Sequence, residues 1–182
     1  MKFVVFVSIL FVLLCSPIAA QENKCELKLS QIKNADTFFG FYLGMSIDSV
    51  RELVPTLKTG KTDKFGLMKT SFSPRFDPKI EKTKFENVRT VSFEFLDDKL
   101  VDLWIGYTAE FKWQTIEEFL PQMSASLGLP VNGWQTKELE RRLECKEFRV
   151  VMMTIANSPS IRLTDLISKK LWETRRTEKA EQ

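Results

Sequence analysis

Val91-Ser92-Phe93-Glu94-Phe95 alternates apolar and polar residues, Asp97-Asp98 interrupts it, and Leu100-Val101-Asp102-Leu103-Trp104-Ile105-Gly106-Tyr107 returns. Alternation with a period of two is the signature of a strand with one buried face. Two such runs joined by aspartates, which tolerate turn conformations, predict a β-hairpin. It is the clearest structural signal in the chain.

Upstream of the hairpin, Phe65-Gly66-Leu67-Met68-Lys69-Thr70-Ser71-Phe72 is a strand candidate, and a loop crowded with lysine and broken by Pro74 and Pro78 follows it. Earlier still, Ser46 stands as a helix N-cap. Ile47, Val50 and Val54 recur at helical spacing, Asp48 suits the positive helix start, and Pro55 stops the run. The glycine-punctuated apolar stretch 38–45 reads as a brief strand or extended segment. Downstream, Thr115 and Glu118 have capping-box spacing, and Ile116, Phe119, Leu120, Met123 and Leu127 make one apolar face. Gly128-Leu129-Pro130 ends that helix. Residues 139–145 and 148–156 read as strands, with a turn at Asn157-Ser158-Pro159 and a short strand over 160–164. Residues 168–182 are mostly charged and read as a tail, a frayed helix or disorder.

A helix followed by three strands therefore occurs twice, over 38–108 and 109–167. Ser46-Ile47-Asp48-Ser49-Val50 and Thr115-Ile116-Glu117-Glu118-Phe119 share hydroxyl cap, isoleucine, acid, polar and apolar positions. Tandem duplication accounts for this, and so does chance, because caps draw on few residue types. The expected fold class is α+β: an antiparallel sheet of about six or seven strands with two helices packed on one face.

The run Leu43-Gly44-Met45-Ser46-x-x-x-Val50, followed by Phe93-Glu94-Phe95-x-Asp97-x-x-Leu100, is similar to the small lipoprotein of the outer-membrane β-barrel assembly machinery and to β-lactamase-inhibitor-protein-like modules. The similarity covers residues 40–107; the second half shares only the order of elements. It implies helices on one face of an antiparallel sheet, in tandem units, and members that bind proteins rather than catalyse reactions. The chain departs from that pattern in its turn, Asp97-Asp98-Lys99 without the family's glycine, and in the long basic loop 73–87.

The amino terminus has Lys2, an apolar run over 3–14, and then Cys15-Ser16-Pro17-Ile18-Ala19-Ala20, which reads as a signal peptide over 1–20 cleaved before Gln21. The apolar run is shorter than the roughly 20 residues that span a bilayer. Bulky Leu14 before Cys15 argues against lipidation. No later apolar stretch is long enough to cross a membrane, so no integral segment is expected after cleavage. About 160 residues remain, the size of one domain, placed at 21–167. Removing Lys2 with the leader lowers the formal net charge of +3 by one. Such balance gives no reason to expect nucleic acid as a partner. Cys25 and Cys145 remain as an even pair. In an oxidising compartment they read as a disulfide, with two separate thiols as the alternative. The segment Cys25-Glu26-Leu27-Lys28-Leu29 alternates and could add an outer strand beside Cys145. The expected location is periplasmic or secreted.

The chain contains no histidine. That removes Ser-His and Cys-His nucleophile pairs and the common imidazole bases, and two distant cysteines cannot complete a zinc site. Gly60-Lys61-Thr62 mimics the end of a phosphate-binding loop, but Pro55 stands where its first glycine is needed. Ser30-Gln31-Ile32-Lys33 and Lys58-Thr59-Gly60 echo penicillin-binding motifs without the Ser-Asp-Asn element between them. Asp97-Asp98 reads as turn chemistry and Glu117-Glu118 as helix-start charge. No catalytic, cofactor or metal site is expected.

Most aromatics are expected in the core, but Trp113 and Trp134 flank the second helix in polar surroundings and are candidates for an exposed contact surface. Arg75, Lys79, Lys82 and Lys84, with Lys69, cluster around the loop 73–87 and could meet an acidic partner or anionic lipid; a solvated loop explains them equally well. The function expected is a non-enzymatic interaction module of the cell envelope or exterior, using the open sheet face or that loop to bind a protein partner. The alternative is a lipid or small-molecule carrier with an apolar pocket between helices and sheet.

Overall fold

The computed structural model describes residues 25–32 and 38–179. The leader expected over 1–20, its cleavage point before Gln21, Lys33 and the end of the tail lie outside them. The described residues form one antiparallel sheet of seven strands: β1 (Leu67–Phe72), β2 (Val88–Leu96), β3 (Lys99–Tyr107), β4 (Gln135–Lys137), β5 (Glu140–Glu144), β6 (Phe148–Ile155) and β7 (Ser158–Asp165). Helix α1 (Ile47–Leu53) precedes β1, α2 (Ile116–Leu127) follows β3, and α3 (Leu166–Glu178) follows β7. The spatial order β1-β2-β3-β7-β6-β5-β4 places the last strand of each half, β3 and β7, side by side at the centre.

Local chemistry explains most of these elements. Ser46 Oγ accepts from Ser49 N at 3.1 Å and opens α1. The Thr115 and Glu118 side chains each accept from the other's backbone N–H, and Gly128 closes α2 in the left-handed region, as a side-chain-free residue can. Asp97 and Asp98 both have positive φ, which a two-residue hairpin turn needs to match the twist of its strands. The same turn recurs at Ala156-Asn157, so Ser158 and Pro159 belong to β7 and not to the turn. Proline is tolerated at 159 because the pairing of β3 with β7 stops at Ser160.

Alternation divides the sheet into two faces. Phe93, Phe95, Leu103, Ile105, Val150, Met152, Ile161 and Leu163 point to one, where Val50 of α1 and Phe119, Met123 and Leu127 of α2 complete a continuous core. The stretch 38–45 is not a strand. It turns at Phe39-Gly40 and clips onto β3, Gly44 N donating to Leu100 O at 2.7 Å and Leu100 N to Met45 O at 2.9 Å. Cys25 and Cys145 form the disulfide, with α-carbons 4.4 Å apart. The N-terminal segment meets β5 only at that pair, by a single parallel bridge, and then enters a short 3-10 turn at Leu29–Gln31 instead of adding a strand.

One element was not expected: β4 is a three-residue exposed edge strand without an alternating signature. Of the two readings of the charged tail, helix is the one observed: Asp165 caps α3 by accepting from Ile167 N and Ser168 N at 2.9 and 3.1 Å. Trp172 then packs on a separate apolar cluster of Leu67, Leu96 and Val101. Among the described residues, no helix is long and apolar enough to cross a membrane.

Candidate functional site

The face opposite α1 and α2 carries the out-of-phase residues, and strand register aligns them in rows. One row runs Ser71, Ser92, Trp104, Arg162, Val151, Arg142 and Gln135 across all seven strands. The next runs Lys69, Glu94, Asp102, Thr164, Arg149 and Glu144. Neighbouring members of a row stand one strand spacing apart, ~4.8 Å. The inner members of both rows, from Ser92 to Arg142 and from Glu94 to Arg149, line a groove of about 400 Å³ together with Ser160, Met153 and Glu140.

The second row is tied into the first by charge. Lys69 Nζ donates to Glu94 Oε1 at 2.6 Å, and Arg162 Nη2 lies 3.8 Å from the same oxygen. Arg162 Nε donates to both carboxylate oxygens of Asp102 at 2.9 Å, and Thr164 Oγ1 donates to Asp102 Oδ2 at 2.6 Å. Asp102 is only 3% exposed. Burial pushes its carboxyl above the usual range, opposed by Thr164 and Arg162, which favour the charged form. The β-bulge sets this position. Glu94 pairs with Asp102 but Phe95 pairs with Leu100, so Val101 is the extra residue, and Val101 and Asp102 both turn from the covered face. On β5 and β6, Arg142 donates to Glu140 at 2.6 Å and Arg149 to Glu144 at 2.9 Å.

Trp104 lies flat against the sheet because Gly106, two residues on, has no side chain. A Cβ there would stand 3.0 Å from the indole. The ring is half-buried among Ser92, Arg162 and Ser160.

Asp102 has its oxygens committed to Arg162 and Thr164 and is closed to a substrate, so its raised pKa does not make it an available acid or base. Among the described residues no group of three or more histidine, cysteine or acidic side chains could hold a metal ion. No family model, curated protein or solved structure matches this chain.

The residues singled out from sequence lie elsewhere. Trp113 and Trp134 are half-buried against the core: Trp113 makes an edge contact with Phe111 at 5.6 Å, and Trp134 Nε1 donates to Pro130 O at 2.9 Å. Arg75, Lys79, Lys82 and Lys84 are all exposed on the loop 73–87, which Pro74, Ile80 and Phe85 anchor from beneath. The loop also exposes Phe76, with Arg75 over its ring at 6.0 Å. Sequence reasoning named the open face but not its residues. The signal for them is the complementary phase of the alternation: if Leu103 and Ile105 point inward, Trp104 points out.

Proposed function

We propose that the chain is a non-enzymatic interaction module of the periplasm or cell exterior that binds a protein through the open face of its sheet. One observation carries the reading. Among the charged and hydroxyl residues usual on a solvated face, the groove gathers a flat tryptophan, Val151, Met153 and three arginines. Tryptophan, methionine and arginine are the types enriched where proteins meet. The similarity to the assembly lipoprotein and inhibitor modules points the same way. The disulfide is compatible with an extracellular or periplasmic location.

A carrier would need space between helices and sheet. Under α1 the rings of Phe41, Phe72 and Phe93 pack together, with Phe41 and Phe93 5.0 Å apart and Phe41 and Phe72 6.4 Å apart, and the space on that side is a cavity of about 520 Å³ at the N-terminal segment, lined by Leu29, Phe38, Tyr42 and Leu163. The test is affinity capture from the native envelope or medium with the wild-type chain and Trp104→Ala. A stoichiometric protein that is captured by the first and lost with the second is the expected result. A co-purifying lipid without any protein would reject the reading in favour of a carrier.

A further inference from the structure

The groove on the open face has two unlike ends. At one, α3 runs from the end of β7 past β3, β2 and β1 and walls it off, with Lys169 lining the groove. The wall is held by Trp172 on Leu67, Leu96 and Val101, and by Arg175, which donates to the two carboxylate oxygens of Asp97 at 3.0 and 2.6 Å. The fit is specific: a Cβ at Gly66 would stand 2.4 Å from Asp97 Oδ1 and 3.0 Å from Arg175 Nη1. At the other end the groove continues past Glu140 and Met153 into a cleft between two hairpin turns. There Leu139 and Ile155 are 67% and 56% exposed.

Charge distinguishes the walled end. Asp102 is beneath the surface, and Glu94 already accepts the short bond from Lys69. Toward the groove stand Lys169 and the outer edge of Arg162, whose side chain is 44% exposed, with Nε committed to Asp102 and Nη2 3.8 Å from Glu94 Oε1. A buried carboxylate that fixes a guanidinium from behind turns its Nη edge outward, where it can donate charge-assisted bonds to a carboxylate.

We infer that the groove receives the C-terminal segment of a partner protein. Its free carboxylate lies on Arg162 and Lys169, and an apolar side chain a few residues earlier lies against Leu139, Ile155 and Met153. Ile155 and Val151 are four residues apart on one face of β6, about 13 Å at ~3.3 Å per residue, and Val151 stands opposite Arg162, so the span is the reach of an extended peptide of about four residues. A chain running in from the apolar end meets α3, so a terminus fits where continuing backbone would have to climb over the helix. The inference rests on the open face being the partner surface.

The test uses the oxidised protein and a library of acetylated hexapeptides, each made as the free acid and as the C-terminal amide, read by fluorescence anisotropy. Free acids with leucine, isoleucine or valine three to four positions before the end should bind about tenfold more tightly than their amides, the scale of a charge-assisted bond. Arg162→Gln should erase that preference. Lys169→Gln, on the surface of α3, should lower it several-fold, and it keeps the test open if Arg162→Gln does not fold. Equal binding of acids and amides, a preference for internal acidic residues in the amides, or a preference that survives both substitutions would overturn the inference. A native partner captured through Trp104 that still binds with its C-terminus amidated would overturn the carboxylate assignment alone. Absence of any protein partner would remove the interaction reading as well.

Discussion

The two faces of this sheet are built from the same strands by opposite rules. On the covered face Val91, Phe93, Leu103, Ile105 and Val150 are almost wholly buried, and rings meet rings. On the open face the same strands offer Ser92, Glu94, Trp104 and Arg162, and the contacts are ion pairs and hydrogen bonds. Apolar burial is non-directional and contributes about 25 cal/mol per Å², so the covered face supplies most of the stability. Ion pairs near water contribute little net energy, so the charged rows of the open face contribute geometry instead. A face that costs burial of Asp102 without adding much stability is where function is to be sought.

The largest effect should come from the covalent lock on the covered side. Cys25 and Cys145 belong to the core cluster and enclose a long loop, 120 residues apart in sequence. Replacing both by serine should lower stability by about 4–5 kcal/mol, the chain-entropy value for a loop of that length, measured by urea unfolding. A loss near zero would show that the N-terminal segment is held by its other contacts.

Phe93→Ala should follow at about 4 kcal/mol, since it empties a site that is 1% exposed between Phe41, Phe72 and Phe95. If it costs less than Trp104→Ala, the division of labour between the faces is wrong.

Arg162→Met tests the one buried charge of the open face. Asp102 would be left without its counter-charge, at about 3 kcal/mol near pH 8. The sign with pH follows from its raised pKa. Between the unfolded value near ~3.9 and the higher folded value, the native state holds a proton that the unfolded chain releases. Stability is thus unpenalised below the unfolded pKa and falls as pH rises through the folded one. The variant should come close to wild type at pH 4 and diverge from it as pH rises. A pH-independent loss would mean that packing, not charge, is what Arg162 supplies.

Trp104→Ala should have the smallest effect on stability, under about 1 kcal/mol, because its ring is half-buried on the solvent side. Partner binding should be lost all the same. A large loss of stability by thermal unfolding would assign the tryptophan to the fold and weaken its claim to a partner.

Much of the covered face was legible because its causes are local. Capping at Ser46 and at Thr115 with Glu118, the glycine stop at 128 and the alternation of β2 each depend on residues a few positions apart. Misreadings arose where local habit and tertiary need diverge. Pro159 has turn chemistry, yet the turn closes one step earlier on Ala156-Asn157, because the register of β6 with β7 requires Ile155 opposite Ser158. Trp113 and Trp134 have polar sequence neighbours, and how far each ring leans onto the core depends on residues supplied from elsewhere in the chain. The tail was open between a frayed helix and disorder because its helix has no fully buried residue; it is held by contacts of Trp172 and Arg175 with β1, β2 and the β2–β3 turn.

Sequence by itself determined the α+β class, the two capped helices and the central hairpin, and it left Cys25 and Cys145 open between a disulfide and two thiols. Each of the three follows from periodicity or from capping groups that must satisfy nearby backbone. Only the tertiary structure decided which outward residues share a row, that the bulge at Val101 buries Asp102 beneath Arg162, and that α3 closes one end of the groove. The reason is physical: a row across a sheet joins residues from as many as seven strands, and its alignment depends on hydrogen-bond registers that no local stretch encodes.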